Sequence, residues 1–197
     1  MKERWYVTAK KADFQAIGDK FGIDPVTARI IRNRDIVGDD AIADYLECSK
    51  SQLYDPHLLK DVQSGADILA AKIADGKKIR VIGDYDIDGV NASYILITGL
   101  RICGAKADHV IPDRVHDGYG INCSMITRAA DEGIDTIVTC DNGISAADEI
   151  AFAKESGLTV IITDHHEVPF TLNENNEKVY RIPAADAVVN PKTVDCT

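Results

Sequence analysis

The stretch "VIGDYDIDGVNAS", residues 81–93, places three aspartates at alternate positions between an apolar run and a glycine. These residues are Asp84, Asp86 and Asp88. Carboxylates crowded together without a partner raise one another's pKa values and destabilise the fold. A divalent cation would remove that cost. The stretch therefore predicts a strand that ends in a cluster of acids suited to metal.

Short β-branched runs alternate with helical segments from residue 77 onward. The helical segments close on Gly104, Gly133 and Gly157, the residue type that usually follows a helix end. Strand and helix in repeated alternation indicate a mostly parallel sheet. We predict an α/β fold, with a sheet of about five strands and helices on both faces. The predicted strands are 77–83, 107–112, 135–141, 158–164 and 185–190.

Residues 1–76 have a helical pattern instead. "DPVTARIIRNR", residues 24–34, has a proline directly after Asp24, which is a favourable helix start. We therefore predict a small helical N-terminal segment over 1–76 and an α/β domain over 77–197. Residues 171–186 are polar and rich in turn formers, and are expected to form an exposed excursion.

Composition limits the class of protein. The chain has 197 residues, of which 45% are hydrophobic and 27% charged, and none of its runs approaches the roughly 18 apolar residues of a membrane span. Its five cysteines form no C-x-x-C pair, which favours a reducing, cytoplasmic location. A net charge of −10 argues against a general nucleic-acid binder, but not against an enzyme that grips phosphates through metal ions.

Acids follow three of the predicted strands, at Asp84, Asp141 and Asp164, and the last continues into His165 and His166. Since the carboxyl ends of parallel strands lie along one edge of a sheet, the fold should gather these side chains. Carboxylates with imidazoles suit manganese, iron or zinc, or magnesium where fewer histidines take part. Each motif alone also fits a turn or a solvated surface, but their combination favours a two-metal site for displacement at phosphorus.

The motifs "GDYDIDG", "TCDNGI" and "TDHH", in this order, resemble those of the DHH phosphoesterase superfamily. "IPDRVHDGYG" (111–120) and "LYDPHLL" (53–59) resemble its RecJ exonuclease branch. The resemblance implies a 5′-to-3′ exonuclease that acts on single-stranded DNA in repair and recombination, with two Mn²⁺ or Mg²⁺ ions. It also implies a single-strand-binding protein and a helicase as partners, and no membrane.

The resemblance also implies roles for individual acids. Asp86 and Asp88 would each supply a carboxylate to one ion, and Asp141 would bridge both. Many members have a histidine where this chain has Ile82, and Asp84 would supply the missing ligand. The helix expected to open at Val90 would add amides near the site.

The remaining roles concern the DHH triplet and the loop 111–120. His165 would bind the second ion, and Asp164 would either bind it or orient a ligand. His166 would approach the scissile phosphate and, with Asp141, take part in catalysis. Arg114 would fork onto a phosphate and Tyr119 would stack under a base.

Two alternatives stay open at this stage. A DHH phosphatase, pyrophosphatase or oligonucleotide phosphatase would use the same chemistry on small substrates. A non-catalytic replication scaffold on the same fold would be expected to lose these ligands. The family also carries a further aspartate and a substrate-binding domain after the triplet, so we expect the chain, which ends at Thr197, to be a fragment.

Overall fold

The computed structural model describes residues 3–6, 10–47, 49–193 and 196. Its internal contacts divide the chain into two compact units, 1–55 and 56–197. Cys48, one of the five cysteines, lies outside the described residues.

The N-terminal unit is helical, as the sequence predicts. The Asp24 carboxylate accepts hydrogen bonds from the backbone N–H groups of Val26 (2.9 Å) and Thr27 (3.0 Å), which confirms the predicted cap. Ala28 and Ile31 are buried on the inner face of the helix that follows. The elements of this unit are α1 (Phe14–Phe21), α2 (Pro25–Asn33), α3 (Asp39–Glu47) and a short 3₁₀ turn (Lys50–Gln52).

The second unit is built on a five-stranded parallel sheet, which confirms the predicted fold class. The strands lie in the order β2–β1–β3–β4–β7, with all neighbours parallel. A separate antiparallel hairpin, β5–β6, is inserted between β4 and β7. The strands are β1 (Lys78–Ile82), β2 (Lys106–Val110), β3 (Thr136–Cys140), β4 (Thr159–Thr163), β5 (Phe170–Leu172), β6 (Lys178–Tyr180) and β7 (Ala187–Val189).

Helices cover both faces of this sheet because alternate strand residues point to opposite sides. Ile137 packs into the core under α6 and α7, whereas its neighbour Val138 packs into the core under α4 and α5. These helices are α4 (Val62–Ala74), α5 (Ile87–Ile102), α6 (Cys123–Asp131) and α7 (Ala147–Glu155), with a 3₁₀ turn (Pro56–Leu58) before them.

Helix α4 packs on the sheet, although the sequence pattern groups it with the N-terminal segment. A β-carbon at Gly65 would lie 3.5 Å from the Ile161 side chain and 3.6 Å from that of Ala187, so the helix approaches the sheet closely. Ahead of it, the Asp61 carboxylate accepts a hydrogen bond from the backbone N–H of Val188 at 3.1 Å. The contact-based division of the chain falls after Asp55, and the expected domain boundary at 76 stays a prediction.

Two local features differ from expectation. Helix α5 begins at Ile87 and not at Val90, because the Asp86 carboxylate caps it by accepting from the Gly89 N–H at 3.0 Å. The excursion 171–186 is exposed, as predicted, but it overlaps the hairpin β5–β6.

Across the described ranges, none of the helices combines the length and the apolar character that crossing a bilayer requires.

Candidate metal centre

The candidate site lies at the carboxyl edge of the sheet. The chain passes from β1 to β2 on one side and then to β3 on the other, so a crevice opens between the ends of β1 and β3. Asp84 follows β1 by one glycine, Asp141 directly follows β3, and Asp164 directly follows β4. The topology thus gathers acids from three separate loops.

Two groups of side chains with the geometry of a cation site occur among the described residues. In the first, Asp84, Asp86 and Asp141 each offer an oxygen, and these atoms lie within 4.8 Å of one another. In the second, Asp141, His165 and His166 do the same. Asp141 belongs to both groups, so one carboxylate lies between two potential cation positions.

Asp84 is almost completely buried, at 1% exposure. Its Oδ1 atom accepts a hydrogen bond from the Tyr85 backbone N–H at 2.8 Å, and its Oδ2 atom is buried without a partner among the described residues. Ile82, where the resemblance leads us to look for a histidine, is a fully buried core residue and offers no ligand atom. Asp84 is therefore the first acid after β1 that reaches the site.

Asp141 is held in the left-handed region of backbone space, with φ of 62°. Its Oδ1 atom lies 2.9 Å from His165 Nε2, whereas its Oδ2 atom is buried and, within the described part of the chain, has no hydrogen-bond donor. A buried carboxylate oxygen without a donor is unfavourable. It is also the group that a cation would satisfy.

The pKa values of the clustered acids also indicate a cation site. Burial raises the pKa values of Asp84 and Asp141, and in Asp141 the charges of Asp88 and Asp86 raise it further. At Asp86 the hydrogen bond from the Gly89 N–H lowers the pKa, so this exposed carboxylate stays ionised. Carboxylate oxygens with imidazole nitrogens form a donor set that Mn²⁺ accepts, and a divalent cation would remove the repulsion. The residues present fit such an ion.

Asp164 is occupied by hydrogen bonds. Its Oδ1 atom accepts from the backbone N–H groups of His165 (2.7 Å) and His166 (3.1 Å) and lies 2.7 Å from His166 Nδ1, and its Oδ2 atom accepts from the Ile144 N–H at 2.9 Å. These contacts fix the DHH turn and the ring of His166. Of the two roles expected for Asp164, the geometry favours orientation over direct binding.

Asp88 lies slightly apart. It lines a cavity of about 240 Å³ together with Asp141 and His165, but it belongs to neither of the two close groups. Its exposed carboxylate therefore lies near the second cation position but outside both groups of closely spaced ligand atoms.

Of the three residues expected to contact substrate, the two from loop 111–120 lie next to His166 and Tyr85. Tyr119 Oη lies 3.3 Å from His166 Nε2, and the Arg114 guanidinium lies over the Tyr85 ring, 5.3 Å from its centroid. Burial, followed by the charges of nearby carboxylates, raises the pKa of Tyr119 to about 12. The phenol therefore stays protonated at neutral pH beside the candidate cation site.

Sequence reasoning missed three residues that shape the site. The buried Asn142 amide donates to the carbonyls of Ile82 (3.1 Å) and Cys140 (3.0 Å), which ties the ends of β1 and β3 together. The fully buried Asn190, just past β7, donates to the His166 carbonyl at 3.1 Å. The third is Tyr85. Both asparagines stand at the end of a predicted strand, and this position could have identified them as residues of the site.

Comparisons with known proteins identify relatives of this chain. The model of the "DHH family, N-terminal domain" matches residues 78–197. The single-stranded-DNA-specific exonuclease RecJ of Bacillus subtilis is 33% identical over 197 residues, which is 100% of this chain and 24% of that protein. The chain thus spans about a quarter of the length of this relative.

Solved structures of RecJ resemble the structure of this chain. A crystal structure of exonuclease RecJ bound to manganese matches with a TM-score of 0.61 and 32% identity, over 73% of this chain and 34% of that chain. A crystal structure of RecJ from Thermus thermophilus in complex with Mn²⁺ matches with a TM-score of 0.54 and 32% identity, over 71% of this chain and 18% of that one.

Proposed function

The chain belongs to the DHH family, and from that premise we propose that it carries the cation site of a 5′-to-3′ exonuclease that hydrolyses the phosphodiester bonds of single-stranded DNA. The observation that carries this proposal is the position of Asp141 in both groups of potential ligands. A shared carboxylate is the arrangement that holds two cations close together for in-line displacement at phosphorus. The activity would serve DNA repair and recombination.

The nature of the relatives supports the choice of substrate. The relative from B. subtilis is named a single-stranded-DNA-specific exonuclease, and the structures with TM-scores of 0.61 and 0.54 contain manganese. We extend single-stranded DNA and Mn²⁺ to this chain as part of the proposal, with a single-strand-binding protein and a helicase as partners. Mg²⁺ is the alternative ion.

The proposed ligands follow from position and free acceptor atoms. Asp84 and Asp86 would bind one ion, His165 the other, and Asp141 both. Asp88 would complete the shell of an ion, since it lies beside the cavity that Asp141 and His165 line. When bound, the two ions would stabilise charge on the phosphate oxygens and lower the pKa of an attacking water.

The chain's own residues would bind and orient the substrate. Asp164 fixes the ring of His166, which leaves Nε2 facing Tyr119 and available to a phosphate oxygen. Burial alone would lower the pKa of His166, but the hydrogen bond and charge of Asp164 outweigh it and raise the pKa. A protonated imidazole donates to an anionic oxygen. Arg114 would contact a backbone phosphate, and Tyr119 would stack on a base.

The cation site can be tested without catalysis. Mn²⁺ should raise the melting temperature of the 197-residue chain, since a ligand that binds only the folded state stabilises it. Asp141→Asn, which keeps the side chain's shape, should abolish most of this rise. Asp131→Asn, at an exposed position on α6, removes the same charge and should retain it. An equal Mn²⁺ effect in all three proteins would contradict the assigned site.

Activity is tested on the chain and on a chimera in which it replaces the matching segment of the B. subtilis relative. With Mn²⁺, single strands labelled at the 5′ end should release labelled mononucleotides at once, and strands labelled at the 3′ end should shorten progressively. Asp141→Asn should abolish both reactions. Hydrolysis of pyrophosphate but not DNA would favour a small-substrate phosphatase, and cation binding without any hydrolysis would favour the scaffold.

A further inference from the structure

Tyr85 lies between two of the candidate ligands in sequence, yet its side chain faces the loop 111–120. The Arg114 guanidinium lies 5.3 Å from the centroid of its ring. The Tyr119 ring meets it edge to face, with centroids 6.2 Å apart and planes at 85°. Tyr85 therefore contacts both residues of this loop to which the sequence analysis assigns a substrate role.

Hydrogen bonds within the loop shape its turn. Asp113 Oδ1 accepts from the backbone N–H groups of Val115 (2.9 Å) and His116 (3.0 Å), and the Asp113 N–H donates to Asp117 Oδ2 at 2.8 Å. These bonds shape the turn, but they do not fix its distance from the sheet edge. Tyr119 contributes one link to the sheet edge, since its Oη lies 3.3 Å from His166 Nε2. The contacts of Tyr85 add a second link, on the side of Asp84.

The stacking on Tyr85 also leaves Arg114 able to bind an anion. Within the described residues, no carboxylate pairs with its guanidinium. A guanidinium held against an aromatic face keeps its N–H groups directed outward in its own plane. Arg114 is exposed and lies over an uncharged ring, so its guanidinium is accessible to an anion.

We propose that Tyr85 is a positioning residue that holds Arg114 and Tyr119 at the distance from the cation site which single-stranded DNA requires. This inference rests on the proposed exonuclease function. Tyr85 would act through the loop, and the acids on either side of it would act on the cations. The backbone N–H that Tyr85 donates to Asp84 is independent of its side chain, so the two tasks can be separated by substitution.

The expected effect falls on substrate affinity. Loss of one cation–π contact and one edge-to-face ring pair should together weaken binding of single strands by about tenfold. KM should rise by a similar factor while kcat changes little, because the cation ligands keep their places. Tyr85→Phe keeps the ring and should retain near-normal affinity, whereas Tyr85→Leu should show the full loss.

The test compares these two variants with Tyr94→Leu, which makes the same change at an exposed position on α5. Fluorescence anisotropy with labelled oligothymidine, in Ca²⁺ to slow hydrolysis, reports affinity, and the Mn²⁺ shift in melting temperature reports the cation site. Tyr85→Leu should lose affinity but keep the Mn²⁺ shift, and Tyr94→Leu should keep both. Unchanged affinity in Tyr85→Leu, or equal losses in Tyr85→Leu and Tyr85→Phe, would overturn the inference.

A double-substitution cycle distinguishes positioning from direct contact. If Tyr85 acts through Arg114, then Tyr85→Leu should have a clearly smaller effect on affinity in a chain that carries Arg114→Ala, where only the contact of Tyr85 with Tyr119 remains. Fully additive losses would mean that Tyr85 contacts DNA by itself, and would overturn the positioning role. Failure of the unsubstituted chain and chimera to bind or cut single strands would instead refute the proposed function.

Hydrogen exchange gives a readout that needs no substrate. Amides in 111–120 should exchange faster in Tyr85→Leu than in Tyr85→Phe, while amides of the buried strand β3 keep equal protection in both. Equal exchange of the loop in both variants would show that Tyr85 does not hold it, whatever the outcome of the DNA measurements.

Discussion

His165 Nε2 lies 2.9 Å from Asp141 Oδ1, across the ends of two neighbouring parallel strands. The register of the sheet brings these two loops together, because Cys140 on β3 pairs with Thr163 on β4, and Asp141 follows the first by one residue while His165 follows the second by two. A slip of either strand by one residue would turn the side chains to the opposite face. The position of the candidate cation site therefore depends on the alignment of β3 and β4.

Gly89→Ala should damage both stability and cation binding. A β-carbon at Gly89 would lie 2.7 Å from the β-carbon and the carbonyl oxygen of Asp84, so α5 could not keep its approach to the acid. We expect the free energy of unfolding to fall by about 1–3 kcal/mol. Urea denaturation measures this loss, and the Mn²⁺ shift in melting temperature should decrease with it.

Gly99→Ala is the matched control, on the same helix. A β-carbon at Gly99 would meet no atom within 4 Å. This substitution should leave stability unchanged or raise it by up to about 1 kcal/mol, because alanine is the better helix former. Equal destabilisation by the two substitutions would mean that helix propensity, and not the contact with Asp84, explains the effect.

Asn142→Asp should be strongly destabilising, although it changes a single group. The amide nitrogen donates to the carbonyls of Ile82 and Cys140, and a carboxylate there would face two acceptors in a buried position beside Asp141. We expect a loss of about 2–4 kcal/mol in the free energy of unfolding. Equilibrium unfolding in urea provides the measurement.

Asn91→Asp provides the comparison at an exposed position. The Asn91 amide donates to the Ile87 carbonyl at 2.6 Å, but water can replace that bond. The change should alter stability by less than about 0.5 kcal/mol. A loss there as large as that of Asn142→Asp would refute the role of the buried amide between β1 and β3.

Truncation tests where the α/β domain begins. A chain that starts at residue 56 keeps α4 on the sheet and should unfold cooperatively. A chain that starts at residue 77 lacks Ile68, Leu69 and Ile73, which cover one core of the sheet, and should expose apolar surface. Binding of a hydrophobic dye and the sharpness of the urea transition distinguish the two. Cooperative unfolding of the shorter chain without dye binding would support the boundary at 76.

Asp186→Asn should make stability less dependent on acidic pH. Burial alone would raise the pKa of Asp186, but hydrogen bonds from Lys154 (2.6 Å) and from the Val160 N–H (2.7 Å) lower it. Its stabilising contribution is therefore present above the unfolded pKa of about 3.9 and is lost as pH falls through the lower folded value. We expect a loss of about 1–2 kcal/mol at pH 7.

Urea unfolding from neutral to strongly acidic pH checks this prediction. The difference between Asp186→Asn and the unsubstituted chain should shrink below about pH 4, where the unfolded carboxyl becomes protonated. Asp131→Asn, which removes a carboxylate at an exposed position, controls for the change in net charge. A difference that stays constant over the whole range would contradict the lowered pKa.

The main sheet was predictable because its strands are short β-branched runs in sequence that end at polar residues. The hairpin β5–β6 was not, because both of its strands are exposed throughout and their three residues are too few to establish a strand pattern. The sequence also did not reveal that α4 packs on the sheet, because the spacing of apolar residues in a helix is the same whether it packs on a sheet or on other helices.

The sequence indicated which side chains meet at the site, but not the hydrogen bonds that they form there. Parallel topology alone brings Asp84, Asp141 and His165 to one edge. The capping role of Asp86 and the hydrogen bonds that occupy Asp164 depend on where backbone N–H groups lie after folding. No spacing rule could have indicated the link from Tyr85 to Arg114, because the two residues come from different loops.

The positive φ of Asp141 should lower the stability of the fold as long as no cation is bound. Glycine or asparagine would adopt this backbone conformation with less strain, and neither would leave a buried carboxylate oxygen without a donor. Selection for heat resistance in a chelating buffer should therefore enrich glycine or asparagine at this position. The same selection carried out with manganese present should keep the aspartate.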